Sequence, residues 1–339
     1  VEIQNGASIR AEPGASVALR SDTQLIVNGA IEAPGGAIDL ALVQPDADNE
    51  TGYDRTQAIW LGEQSRLLAP AVFKPAPDVT GRGLRLGAML DGGSVNVAAQ
   101  RGYLIALPGS SIDVSGATRE MDVQLGATFT PTAVNGAAGD ITLLAAEGMV
   151  LNGELRGVRG DAAGAAGGSL SIALDHSNRA ASVVPEFEQY PVGPREIIVS
   201  ATGADAPAAG TAVPDEMNGK VRVAPAKIAS GGFDELTLRA RSASTDLSSA
   251  AIKLEGDVAL ATAQSLVLDA PVLESDGGAA TLQSAYVRLG TPQGFFNPDA
   301  QSGTGSLLVS GQHVDIRGTL ALRGFGPGNA AGGTASVRI

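Results

Sequence analysis

The sequence predicts an all-β chain wound as a parallel β-helix, a solenoid with extra loops leaving its coils. Three observations predict it. Short apolar-alternating runs recur along the chain, and strict alternation over a few residues marks a half-buried strand. Glycine is abundant, at 45 of 339 residues, without a collagen-like triplet period. It falls at the ends of the runs, where the backbone needs positive φ or has no room for a Cβ. Hydrophobic residues are 44% of the chain but aromatics only 4%. Ala, Val, Ile and Leu must therefore fill the core, which suits a narrow interior stacked coil on coil.

The stretch Gly92–Gly116 serves as the ruler. Its alternating runs Ser94–Ala98, Tyr103–Leu107 and Ser111–Val114 are each bounded by Gly or Pro-Gly. Three strands and three tight corners in about two dozen residues describe one coil, a period in the solenoid range. Before it, strands are expected at Ala7–Arg10, Ser16–Leu19, Leu25–Val27, Ala30–Glu32 and Ala37–Val43, with turns at Pro13-Gly14, Asn28-Gly29 and Pro34-Gly35-Gly36. Asn-Gly usually suggests a hairpin, but in a β-helix it bends the chain round a corner. Gln44–Gln57 is polar and acidic and reads as a loop leaving the coil. Ala58–Leu61 resumes strand character and holds Trp60, the one tryptophan. Pro70, Pro75 and Pro77 mark an irregular excursion. Leu84–Leu90 reads as alternation returning to the coil.

Thr118–Ala138 reads as an insertion with one alternating piece, Met121–Leu125. A second copy of the coil starts at Gly139–Leu143 and continues through Gly148–Leu151 and Gly153–Leu155. A third begins at Ser169–Leu174. Asp175–Arg195 and Gly203–Gly219 are Pro-rich departures on either side of a strand at Glu196–Ser200. Regular coils then follow from Lys220–Val223 to Leu320–Leu322, with Gly277-Gly278, Gly303–Gly305 and Gly332-Gly333 recurring at solenoid spacing. The expectation is one β-helix segment over 1–339, with excursions near 44–57, 118–138 and 175–219. At 20–25 residues per coil the rod would be about 60–80 Å long. No long segment carries capped 3.6-residue periodicity, so no helix-rich fold is expected. An antiparallel sandwich is the structural alternative, and it would lack the Gly-Gly recurrence.

Charge and composition exclude several functions. A net charge of −13 offers no basic stripe for nucleic acid and disfavours anionic membrane surfaces. Cysteine is absent, which excludes disulfides, thiolate metal sites and Cys nucleophiles. No apolar run reaches membrane-spanning length, and no signal peptide is evident. Both ends stand in mid-pattern, so a segment of a longer protein is expected.

At Gly92–Gly116 the chain resembles the filamentous haemagglutinin family of two-partner-secretion exoproteins. The pattern is Gly-Gly, an alternating strand, a small-residue joint, a second strand, and then Gly109-Ser110-Ser111-Ile112-Asp113-Val114-Ser115-Gly116. Weaker echoes lie at Gly139–Gly160 and Gly305–Gly324. The resemblance implies a right-handed β-helix shaft, secreted or at the bacterial cell surface, with an outer-membrane transporter as partner. It also implies adhesion, biofilm or contact-dependent roles, with a host-cell receptor or exopolysaccharide as ligand. From the residues themselves, no cofactor and no enzyme activity are expected. A rod held by local stacking could grow coil by coil as it leaves a pore.

Arg159-Gly160-Asp161 is the integrin-recognition tripeptide, set after the strand at Glu154–Leu155. It is the one binding site expected here, although a glycine turn between coils explains Gly160 as well. Asp46, Asp48, Glu50 and Asp54 could ligate Ca²⁺ but lack EF-hand spacing, so a solvated loop is expected. Asn49-Glu50-Thr51 is a lone glycosylation sequon. Phe187, Tyr190, Pro191 and Pro194, and also Gly294–Pro298, either present aromatic surfaces or pack their loops down. The alternative class is a β-helix that binds or degrades polysaccharide. Degradation would need two facing carboxylates, for which Asp39, Asp113, Asp140 and Asp315 are candidates. His176 and His313 are the only histidines, neither stands in a nucleophile motif, and His313 is expected to point outward.

Overall fold

Every second side chain of a strand points to one face. A chain that pairs each strand in parallel with the strand one coil later therefore stacks its inward residues into columns. A computed structural model describes residues 1–43, 55–161, 164–175, 194–241, 250–292, 301–318, 320–326 and 335–338, and it shows this arrangement. Consecutive strands join three different faces. A nine-stranded back face runs from Ser16–Ser21 through Ala37–Leu42, Ser94–Ala99, Asp140–Ala145, Ser169–Asp175, Glu235–Arg241, Ser265–Asp269 and Tyr286–Leu289 to His313–Ile316. A front face carries Gln24–Val27, Ala58–Leu61, Tyr103–Ala106 and Gly148–Leu151. A side face carries Ser8–Arg10, Ala30–Glu32, Arg66–Leu68, Ser111–Asp113 and Glu154–Arg156. The chain is an all-β parallel β-helix. The ruler stretch supplies one strand to each face, and Asn28-Gly29 is a corner between the front and side faces.

A bare coil is 21 residues, the offset from Ser16 to Ala37 and again from Ser265 to Tyr286. One inward column of the back face reads Val17, Ile38, Val95, Ile141, Leu170, Leu236, Leu266, Val287 and Val314. All but its end members are fully buried. Each such side chain contributes about 1.5–3 kcal/mol by leaving water. Nine rungs at about 4.8 Å span about 40 Å, shorter than the length expected from sequence, because hairpins and excursions absorb residues.

The corner entering the back face explains the Gly-Gly signature. Gly36, Gly93, Gly139 and Gly168 occupy one position on successive coils. A Cβ on Gly93 would lie 1.8 Å from the carbonyl oxygen of Gly36, and one on Gly139 would lie 1.8 Å from that of Gly93. Those oxygens accept from the next strand: Ser94 N–H donates to Gly36 O at 2.9 Å and Asp140 N–H to Gly93 O at 3.0 Å.

Two segments read differently from sequence. Val72–Ala76 and Leu86–Leu90 form an antiparallel hairpin, so the proline-marked stretch is a strand, and Leu86–Leu90 leaves the coil instead of rejoining it. Alternation is common to coil strands and hairpin strands and does not separate them. Pro75 is tolerated because a two-stranded ribbon is all edge. The insertion after the next coil is likewise a full hairpin, Ala117–Leu125 with Thr128–Gly136, in place of a single alternating piece. The hairpins are joined, since Asp122 N–H donates to Arg85 O at 2.9 Å and Arg85 N–H to Asp122 Oδ2 at 2.6 Å. At the tip of the first, the Thr80 hydroxyl and the Leu84 and Thr80 amides donate to the Asp78 carboxylate, holding its pKa at about 2 against an ordinary 3.8. A depressed pKa stabilises the tip above pH 3.8, and that contribution is lost as pH falls through about 2. The Thr80 and Leu84 amide resonances should therefore titrate with a midpoint near 2, and a midpoint near 3.8 would show the tip open.

The excursion over 203–219 returns to the rod. Ala204, Ala206, Val213 and Met217 pack on the outer side of the front face against Ala58, Trp60, Tyr103, Ile105 and Val150. Asn152 Nδ2 donates to Ala204 O at 2.8 Å, Arg55 Nε to Val213 O at 2.9 Å, and Arg55 pairs with Asp215 at 3.2 Å. Ala58–Leu61, Tyr103–Ala106 and Gly148–Leu151 are thus buried on both faces. Trp60, fully buried there, should emit at short wavelength and resist acrylamide quenching. Val213→Asp should make it quenchable while back-face amides stay protected, and an unchanged quenching constant would refute the packing.

The front face departs from chain order. Lys220–Val223 inserts between Gly148–Leu151 and the earlier Arg195–Val199. The sequence places Arg195 at the end of an excursion, but it is the first residue of the strand Arg195–Val199. Gly219 N–H donates to Glu147 O at 2.6 Å, and Gly219 has a φ of +69°. A Cβ there would lie 1.9 Å from Pro194 O and 3.2 Å from Arg195 Nη1. Across this bare position Arg195 Nη2 reaches Glu147 Oε2 at 3.2 Å, with the side chains 1% and 0% exposed. The device recurs where Ala321–Phe325 pairs with both Val272–Ser275 and the start of the earlier Gln301–Ser310.

Candidate binding site on the side face

After Lys220–Val223 the side face carries a helix, Pro225–Gly231, in place of a strand, between Glu154–Arg156 and Val258–Ala261. Pro225 supplies the preset φ of a first helical position, and Gly232, at φ +71°, ends the helix in the left-handed region. Lys227 Nζ donates to the carbonyls of Asn152 and Gly153 and docks the helix on the preceding coil. Burial lowers the Lys227 pKa, partly offset by Glu154.

Where this coil enters the back face the glycine column stops. Register places Asp234 at the position of Gly168, Gly139, Gly93 and Gly36. Room for its side chain comes from Gly167, whose Cβ would lie 2.8 Å from the Asp234 carboxylate. Gly167 N–H donates to Oδ2 at 2.7 Å, Gln264 Nε2 to Oδ2 at 3.4 Å, and Arg159 Nη2 to Oδ1 at 2.7 Å. Asp234 is 6% exposed and Arg159 is 53% exposed. Beside this pair lies a groove of about 330 Å³, with Val158, Arg159, Gly232 and Phe233 on one side and Ala261–Ala263 and Gln283 on the other.

The structure thus places the expected tripeptide at the rim of the groove. Arg159 is oriented by Asp234. Gly160 is buried, and a Cβ on it would meet Ala117 O and Thr118 Oγ1 at 2.9 Å. Asp161 is exposed. Asp234, Thr262 and Gln283 were not foreseen as neighbours of Arg159, because coil stacking brings them from far along the chain. The available signal was an Asp directly after four successive corner glycines, with Gln264, Ala285 and Gln312 at the later corners.

The four carboxylates considered for sugar cleavage do not face one another. Asp39 stands between Ala18 and Asn96, and Asp140 between Ser94 and Ser169. Asp113 is 3.9 Å from Arg156, while Asp315 bonds Arg317 Nε at 2.7 Å and the Tyr286 hydroxyl at 3.2 Å. The Arg317 hydrogen bond, then that of Tyr286, lowers the Asp315 pKa. His313 points outward and stacks on Tyr286 with ring centroids 5.7 Å apart. Among the described residues no three His, Cys, Asp or Glu converge as metal ligands, and no helix is long and apolar enough to cross a membrane. The acidic loop Asp46–Asp54 with its sequon, His176, the Phe187–Pro191 aromatics and Gly294–Pro298 lie outside the described residues. In comparisons with known proteins, no family model matches this chain, and neither does any curated protein or solved structure.

Proposed function

We propose that this chain is the shaft segment of a secreted or cell-surface adhesin-like exoprotein, passed out through an outer-membrane two-partner-secretion transporter. Adhesion, biofilm formation or contact-dependent interaction would be its role. One observation carries the reading: the chain is a stack of coils whose side chains fill the interior, while the hairpins, the excursion over 203–219 and the groove all lie on its outside. Such a rod presents surfaces at set heights along its length. Fused behind a two-partner secretion domain and coexpressed with the matching transporter, the chain should reach the cell exterior protease-resistant. Retention inside the cell under those conditions would count against the proposal.

Arg159-Gly160-Asp161 is the contact proposed for a protein receptor. A receptor carboxylate would compete with Asp234 for Arg159, so Asp161 is the residue that isolates the motif. Asp161→Glu should lower cell attachment at least several-fold, and unchanged attachment would remove the tripeptide from the proposal. A polysaccharide-binding β-helix is the second reading, favoured by the groove beside Arg159.

A further inference from the structure

We infer that the groove beside Arg159 binds a short, neutral, hydroxyl-rich saccharide. The inference deepens the adhesive reading by naming a ligand class. It rests on three features of the groove: its donors, its walls and its charge.

Donors face it from both sides. Arg159 spends one contact on Asp234, and its Nε and Nη1 have no other partner among the described residues. The Asp234 carboxylate that aims Arg159 is itself held by Gly167 and Gln264, so the guanidinium is pre-set and loses little freedom when a ligand arrives. Opposite, Gln283 ends its strand with an exposed amide. The wall between is rigid, because the Thr262 hydroxyl donates to Ser265 O at 3.0 Å and meets Ser284 Oγ at 3.0 Å.

The walls are low and apolar between the donors. Val158, Ala261 and Ala263 are exposed small or branched side chains, suited to the C–H face of a pyranose. A volume of about 330 Å³ is at the small end of ligand sites, which fits one or a few sugar units at a time.

Charge decides the class. Arg159 and Asp234 cancel, and exposed Asp161 and Glu235 adjoin them on a chain of net charge −13. A carboxylate or sulfate ligand would meet that negative surround, whereas a cation would meet Arg159. Neutral hydroxyls accept from Arg159 and Gln283 with no charge to oppose them.

The test uses the full chain against a panel of immobilised neutral oligosaccharides, with uronate-containing oligosaccharides and an acidic peptide beside them. At least one neutral member should bind, with an affinity insensitive to raising NaCl to about 0.5 M, because no ion pair is formed. Ala263→Trp, which fills the groove, and Gln283→Ala, which removes one donor from an exposed strand end, should each weaken binding about tenfold or more. The inference is overturned if no neutral member binds, if binding survives both groove variants, or if only the acidic sugars or the peptide bind. Circular dichroism establishes that each variant is folded. Export and cell attachment are measured separately, so failure here leaves the adhesin reading to be judged on its own assays.

Discussion

Arg195→Met should destabilise the middle of the rod by about 3–5 kcal/mol, the usual consequence of removing one member of a buried ion pair. Arg195 and Glu147 are held 3.2 Å apart away from water. Arg195 opens Arg195–Val199 and Glu147 immediately precedes Gly148–Leu151, two rungs away on the front face, with Lys220–Val223 between. Removing the guanidinium takes the Nη2 contact from Oε2 of a carboxylate that is fully buried. The double variant Arg195→Met with Glu147→Leu should recover most of the loss, since apolar replacement of both members of a buried pair is often near neutral. A stacked-coil protein need not unfold in one step. Denaturant melts should therefore be read with hydrogen exchange at 196–199 and 220–223, where protection should fall first. A single-variant loss below about 1 kcal/mol would show that the pair does not hold the inserted rung.

Gly93→Val should be as damaging, for a different reason. Its Cβ would stand 1.8 Å from the Gly36 carbonyl oxygen, which already accepts from Ser94. Neither coil can yield without breaking the ladder, so about 3 kcal/mol or more is expected. Gly81→Ala is the control. Gly81 has φ +68° and open space around it, so only the left-handed backbone penalty of about 1–2 kcal/mol applies. Equal losses at the two sites in thermal melts would mean that the column of corner glycines is not held by contact.

The contrast shows what was legible in the sequence. The three strands of Gly92–Gly116 and their corners follow from alternation and from glycine, because both properties act within a few residues. The hairpins were not separable from coils, since Leu86–Leu90 alternates as a coil strand does. The double-sided burial of Ala-Ile-Trp-Leu at 58–61 was written in its lack of alternation, but the covering residues lie about 150 positions later. The Arg159–Asp234 contact joins residues on different coils, and only register brings them together. Asp234 is the instructive case: the first polar residue after a run of four corner glycines marks the place where the stack opens a niche.

The inserted front-face strand has a consequence for timing. A chain that appears amino end first, from ribosome or pore, delivers Arg195–Val199 before its lower neighbour Lys220–Val223 exists. The top layer therefore idles until some two dozen more residues arrive, a delay on the order of seconds at about 5–20 residues per second. Assembly there advances by a double layer instead of one turn at a time. The same pause recurs when Gln301–Gly305 waits for Ala321–Phe325. Between these two pauses the polymer can add each turn as it is supplied, so the finished rod records a start-stop schedule in the order of its layers.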